Sequence, residues 1–461
     1  MTTNRHKLES SRKNSQPVAV FWFRRDLRLF DNVGLAAALK RELPVLPLFI
    51  FDSDILEKLE DRDDRRVQFI HQTIVGLNKQ LEDIGSALLV RYGKPAEVFK
   101  KLQSEFQIKA VYTNHDYEPY ATQRDSEIFQ MLKAGGATFS TFKDQVIFEK
   151  LEVEKGTGGP YTVFTPYSKK WLSQLDPKDL RSHKLTDDQF LRWSGEKIPS
   201  LEEMGFKKSD LIFPDSAPDK KLLKRYHELR NTPSVKGTSR LGLHLRFGTV
   251  SVREMAKLAR EVAQDTGDQT WLKELIWREF FMQILWHFPH VVKGAFRPEY
   301  DRIQFRHDKK DFSRWCEGTT GYPIVDAGMR ELNATGFMHN RVRMIAASFL
   351  VKHLLVDWRW GEAYFARKLL DFELASNNGN WQWVAGTGCD ASPYFRVFNP
   401  ETQAKKFDPK KEYINFWVPE AKTNKYPEPM IDHVTARLRV LRAYKIGLGK
   451  KAPEPTQSAQ H

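Results

Sequence analysis

Five short apolar runs, separated by longer amphipathic stretches, constrain this chain more than any other feature of it. They are VAVFWF (18 to 23), VLPLFIF (45 to 51), SALLVRY (86 to 92), KAVYTN (109 to 114) and ATFSTF (137 to 142). Strands that are apolar on both faces need cover on both faces. The segments between them, RRVQFIHQTIVGLNKQLEDIG among others, repeat with the period of a helix. The pattern predicts an α/β fold, a doubly wound parallel sheet domain over residues 17 to 143. It contains neither G-x-G-x-x-G nor a Walker-type glycine loop, so neither standard nucleotide cradle is expected there.

Residues 144 to 204, including EKGTGGPYTVFTPYSKKW, are rich in Gly, Pro and charge and read as a long surface linker. Beyond it the period turns helical, with helices predicted over 219–230, 251–265, 270–288, 324–334, 339–356 and 361–371. The predicted architecture is therefore α/β plus all-α, with a large helical domain over 205 to 450. The first sixteen residues and the tail after Lys450 are expected to be disordered. Cys316 and Cys389 lack metal-ligand spacing, no metal site is expected, and two cysteines in such a chain suit a reducing compartment. With no apolar run long enough for a bilayer, the expectation is a cytoplasmic protein.

Lys and Arg number 73 against 59 Asp and Glu, a formal charge of +14 that favours a polyanionic partner over a neutral one. Eight of the twelve tryptophans lie between Trp271 and Trp383, where cationic and stacking surfaces can meet. In GTSRLGLHLRFG (237 to 248), Thr238 and Ser239 precede a helical run; a helix cap and a phosphate cradle are both readings of such a place. In WLKELIWREFFMQILWHFP (271 to 289), Glu274, Trp277, Arg278 and Phe281 share one helical face, either as a surface ion pair beside core aromatics or as a reader of a base and its phosphate. GFMHNRVRMIAASFL (336 to 350) brings Asn340, Arg341, Arg343 and Met344, with His339 read as structural. LLDFELASNNGNWQW then supplies Asp371 and Glu373, and Arg343 with Asp371 forms an expected pair across two helices.

Taken together, FWFRRDLRLFDN, GTSRL, ELIWREF, TGYPIVDAGMRELNATGFMHNRVRM, ASNNGNWQW and PYFRVFNP resemble the DNA photolyase and cryptochrome family over roughly residues 17 to 420. The resemblance is to the microbial class I enzymes that repair cyclobutane pyrimidine dimers. It implies FAD in the helical domain and light-driven repair of UV-damaged DNA, in which reduced FAD lends an electron to a flipped dimer and regains it after the ring splits. By motif position, Tyr226 and Thr238, Ser239, Arg240, Leu241 and Gly242 hold the phosphates of FAD, while Arg343, Asp371 and Glu373 line its isoalloxazine. The family usually has Asp at the place of Glu373.

Asn377 is the residue implied beside flavin N5, where an amide can rotate to offer either its acceptor or its donor, and Gly379 and Gly386 are expected to let the backbone approach the ring. For the extruded lesion, Trp277 and Trp383 supply apolar walls, Glu274 and Asn340 bind base edges, and Met344 fills the floor. The Glu274 carboxyl also faces charge that develops on a base carbonyl. Asn340 points to the cyclobutane dimer, since relatives acting on the pyrimidine-pyrimidone photoproduct carry histidine there. Arg230, Arg278, Arg341 and Arg396 are expected at DNA phosphates.

One departure stands out. Of the family's electron-carrying tryptophan chain, Trp381 and Trp358 match the inner two members, but Phe305 occupies the outer place, so photoreduction of oxidised FAD is expected either to be slow or to run through another aromatic such as Trp360 or Trp315, with repair by reduced FAD untouched. The sheet domain in relatives often binds an antenna chromophore, a folate or a deazaflavin, with Glu118 a candidate contact here. The expected state is a monomer. Two rival readings are a cryptochrome-like blue-light photoreceptor without repair, opposed by Asn377, Asn340 and Met344, and a DNA-binding protein that has lost its flavin, opposed by GTSRL and Asp371.

Overall fold

The computed structural model describes residues 16–186 and 188–450, so the expectations for the leader up to Ser15 and for the tail after Lys450 fall outside the described residues. The chain divides into two compact units, one made of residues 1–152, 171–218 and 240–275, the other of 153–170, 219–239 and 276–461. Among the described residues, no helix is long and apolar enough to cross a membrane.

The first unit is built on strands β1 (Pro17–Phe23), β2 (Val45–Asp52), β3 (Leu89–Gly93), β4 (Gln107–Asn114) and β5 (Thr138–Phe142), all parallel in the order β3-β2-β1-β4-β5. Register is set by pairs such as Ala19 with Val45, Leu48 with Leu89 and Ala110 with Thr138. Helices α1 (Val33–Leu39), α2 (Arg65–Glu82), α3 (Pro95–Glu105) and α4 (Pro119–Ala134) connect the strands. Asn32 and Asp64 cap the first two, and proline opens the other two, where a missing N–H costs nothing. Val18, Val20 and Trp22 of β1 pack with Phe99 and Leu102 of α3 and Leu132 of α4, the cover that doubly apolar strands demand. Strand β3 starts three residues later than the apolar run because Ser86 and Leu88 direct their N–H groups to the Leu81 carbonyl and the Asn78 side chain.

The sheet's order reverses between β1 and β4, and the RRDLRLFDN segment fills that point. Asn114 bonds Asp26 and Asn32 at 2.6 and 2.8 Å and accepts from the Gly34 N–H, where any Cβ would sit 2.7 Å from the Asn114 oxygen. Beneath it Arg28 pairs with Asp144 at 2.8 Å, and Arg253 reaches Asp31 at 3.0 Å and Asp144 at 2.8 Å, all four buried. Burial opposes ionisation of Asp144, yet the guanidinium groups of Arg28 and Arg253 outweigh it and hold the carboxyl below its ordinary range. Glu118, the candidate antenna contact, is bound to Arg25 at 3.0 Å and Arg246 at 2.7 Å.

The connection after β5 is not the plain surface linker that its composition suggests. It carries helix α5 (Phe164–Gln174), and Tyr167, Trp171, Phe190 and Leu201 are buried. Gly and Pro mask the periodicity of so short an amphipathic piece.

In the second unit the helices α8 (Pro323–Thr335), α9 (Asn340–Ser348), α10 (Trp358–Lys368) and α11 (Leu374–Ala385) enclose a core that includes Leu332, Val342, Phe349, Phe365 and Trp381, while α6 (Val252–Thr266) and then α7 (Thr270–His287) precede them in the chain. The predicted helix 219–230 breaks at Arg225 into Lys220–Lys224 and Tyr226–Leu229. The predicted 339–356 ends its α-helical part at Ser348 and continues as a π-helical turn, Phe349–His353. Residues 374 to 385, for which no helix was predicted, form one of their own, closed by Gly386 at φ 84°.

Candidate functional site

The inner half of the site lies where α9 and α10 meet α11. Arg343 turns its Nη2 to both oxygens of Asp371, at 3.2 and 2.9 Å, while its Nε donates to the Met338 carbonyl at 2.7 Å. Asn377, in the first turn of α11, donates from Nδ2 to the Glu362 carbonyl at 3.1 Å and to Glu362 Oε1 at 2.9 Å. Its Oδ1 accepts no hydrogen bond from any described residue, although Asn377 is only 9% exposed. An amide on a largely buried residue whose acceptor is left open fits a ligand that brings an N–H. In this orientation the amide gives both its donor contacts to Glu362 and leaves its acceptor for a ligand. Burial raises the Glu362 carboxyl above its ordinary range, with the Asn377 bond opposing the rise.

Glu373, expected at the isoalloxazine, is buried against Arg278, with Nε 3.2 Å from Oε2 and Nη2 3.3 Å from Oε1. Arg278 was expected at a DNA phosphate, but its side chain is 11% exposed and tied to this carboxylate. Drawing the guanidinium away would strand a buried charge, at a cost of about 3 to 5 kcal/mol. The two glycines also serve neighbours other than a flavin ring. A Cβ on Gly379 would lie 2.1 Å from the ring of Phe281, and Gly386 supplies the left-handed end of α11.

The outer half centres on Trp277 of α7 and Trp383 of α11, which line one small hollow of about 20 Å³ together with Phe281, Asn378, Cys389 and Asp390. Burial pushes the Cys389 thiol up to about 12, so it is no nucleophile at neutral pH. The Trp277 indole is stacked on Phe164, with centroids 3.5 Å apart and planes within 5°. Glu274, half-buried, precedes Trp277 by less than a turn on the same helix, in the part that belongs to the first unit.

Asn340 opens α9 and is exposed, behind the buried cap His339, whose Nδ1 accepts the Arg341 N–H at 3.2 Å. Arg341 donates to Asn231 Oδ1 at 2.7 Å and to the Met344 sulfur at 3.5 Å, and lies over Phe407 at 4.4 Å. Burial lowers its pKa, and so do the charges of Arg230 and Arg396, with no carboxylate acting in the other direction. The structure thus brings together three of the four arginines expected at phosphates.

Tyr226, Thr238 and Ser239 belong to the second unit and Arg240, Leu241 and Gly242 to the first. Leu241, not either hydroxyl residue, occupies the N-cap position of helix Gly242–Phe247. Gly237 is required by a close approach, its Cβ position being 2.5 Å from the Leu229 carbonyl oxygen. Trp381 and Trp358 are buried, and Trp315 stands 6.2 Å from Trp381, with Phe312 between it and Trp360 at 5.8 and 5.3 Å. Phe305 lies between the core that holds Trp358 and Trp381 and the side chain of Tyr444, whose ring centroid is 6.5 Å away.

Three contributors escaped the sequence reading. Glu362 looks like a solvated helix carboxylate, Asn231 like a turn residue, and Phe164 sits in a stretch read as linker. Only burial and partners distinguish them.

Residues 19–185 match the DNA photolyase domain, and residues 271–424 match the FAD binding domain of DNA photolyase. The deoxyribodipyrimidine photo-lyase of Halobacterium salinarum is 37% identical, covering 91% of this chain and 97% of the relative. A bacterial class III photolyase from Agrobacterium tumefaciens superposes with TM-score 0.85 at 33% identity, covering 95% of this chain and 98% of that one. An archaeal photolyase from Sulfolobus tokodaii, solved with two FAD molecules, gives 0.75 at 34% identity, covering 93% and 99%. The pairing of Arg343 with Asp371 and the unfilled acceptor of Asn377 suit the FAD that such a domain binds. Likeness in sequence over nearly the whole chain and likeness in fold agree, and the chain belongs to the DNA photolyase family.

Proposed function

We propose that this chain is a class I photolyase that repairs cyclobutane pyrimidine dimers in UV-damaged DNA under blue light, acting as a monomer. The observation that carries the reading is the double duty of α9. Arg341 and Arg343 are two residues apart, about 200° around a helix. One joins Arg230 and Arg396 in a cationic cluster, the other joins Asp371 beside Asn377. A single helix thus separates a surface made for phosphates from a pocket made for the flavin.

When bound in its reduced form, FAD supplies the photoexcited electron that opens the cyclobutane ring. The chain's residues do the rest. Asn377, clamped by Glu362, offers only an acceptor and so favours a flavin that is protonated at N5. Arg343 and Asp371 fix the flavin's polar edge. Arg230, Arg341 and Arg396 bind the phosphates flanking the lesion, and Trp277, Trp383 and Met344 exclude water from it. Glu274 and Asn340 bond the base edges, with Asn340 favouring the cyclobutane lesion. The phosphates of FAD fall to Tyr226 and to residues 238–242. In this reading residues 17–143 serve an antenna, 144–204 link, and 205–450 catalyse; the Sulfolobus tokodaii photolyase, with two FAD molecules and the light-harvesting cofactor they imply, supports an antenna of this kind.

Illumination of a dimer-containing oligonucleotide with reduced protein, beside a dark control, should remove the lesion. Intact dimers in the light, with FAD bound and reduced, would sink the proposal.

A further inference from the structure

We infer that Phe164 is a positioning residue that sets the width of the lesion hollow, an inference that rests on the photolyase reading. Its ring lies flat on the Trp277 indole at 3.5 Å and 5°, and both rings stand edge-on to Phe280, at 5.8 Å for Phe164 and 5.6 Å for Trp277. Phe281 is stacked on the same indole at 5.4 Å and 27°, so Phe164 occupies one face of Trp277 and a base meets the indole at the edge that the two phenyl rings leave.

Two hydrogen bonds keep the ring there. The Phe164 N–H, at the first position of α5, donates to Asp390 Oδ2 at 2.9 Å, a carboxylate from another segment doing the work of a cap. The buried Gln283 of α7 donates to the Tyr161 carbonyl at 2.8 Å. Residues 161–164 are thus fastened to α7, which carries Trp277, and to the loop after α11, which carries Trp383. Phe164 is 9% exposed and Tyr167, one turn on, is 1% exposed against Phe280, so this is a fixed brace and not a plug waiting to leave. Without the flat ring, the indole tilts into the space left, and the gap between the two tryptophan walls no longer matches a stacked lesion.

The test uses full-length, FAD-loaded protein and dark binding, by anisotropy, of dimer-containing and undamaged oligonucleotides. Phe164→Leu should reduce the preference for the dimer about three- to tenfold, the range of an aromatic contact. Repair per bound lesion should stay unchanged, Trp277 emission should shift, and Phe164→Tyr should keep the preference. Wild-type preference in Phe164→Leu with normal FAD content, or equal loss in Phe164→Tyr, would overturn the inference alone. Wild type that does not prefer the dimer would instead overturn the photolyase reading beneath it. Should Phe164→Leu fail to fold, Asp390→Ala unties the strap and leaves the ring, and a preference that it leaves untouched counts equally against the brace.

Discussion

At the scale of single residues, Asn377 carries the largest consequence because Glu362 has already decided how it points. Asn377→Asp places a carboxylate where an acceptor without charge is wanted, and dark reoxidation of reduced FAD should quicken about tenfold, the weight of one hydrogen bond to a charged group. Glu362→Leu should move it in the same direction by freeing the amide to turn. Stopped absorbance traces after photoreduction measure both. Asn377 was legible in the sequence through its neighbours; Glu362 was not, since a lone carboxylate on a helix reads as solvated until its burial is known. The aromatic relay behaves likewise. Trp315 stands 6.2 Å from Trp381, and the Phe305 ring is far harder to oxidise than an indole, so the long-lived tryptophan radical followed by transient absorption should survive Phe305→Ala and fall several-fold in Trp315→Phe.

At the scale of elements, periodicity located the strands to within a few residues and erred where side chains overrule pattern. Strand β3 starts late because side-chain and turn acceptors take its first N–H groups, and 219–230 splits where Arg225 leaves helical geometry, with φ −110° and ψ 13°. The π-helical turn after α9 was invisible for a similar reason. It buries Lys352, whose ammonium donates to the Ala385 carbonyl at 2.7 Å and faces the Tyr444 ring at 4.1 Å. Desolvation pushes this lysine down to about 7. An unfolded lysine keeps its proton to about pH 10.4. Between those values the unfolded chain binds more protons, so stability contributed here rises as pH climbs through that window. The gain in melting temperature from pH 6 to pH 9 should therefore be larger in wild type than in Lys352→Met. Equal gains would show that the lysine stays charged throughout.

At the scale of the molecule, the net charge of +14 is less informative than its concentration in Arg230, Arg341 and Arg396. Each phosphate contact contributes about 0.9 to the slope of log affinity against log salt. Replacing Arg230 or Arg396 by alanine should lower that slope by about one, equally for damaged and undamaged DNA, whereas Arg278→Ala should act chiefly on folding through Glu373. The two-part architecture was legible from the change of period, but the boundary at residue 205 is not where the units divide, since 171–218 and 240–275 both belong with the sheet, and such sharing depends on partners far apart in sequence. The buried quartet of Arg28, Asp31, Asp144 and Arg253 is the clearest case. Its last member reaches the ribosome's exit long after the strands have been made. Until then the nascent sheet holds two aspartates and one arginine where neutrality needs two of each, so the N-terminal part should finish consolidating only once synthesis has passed residue 253.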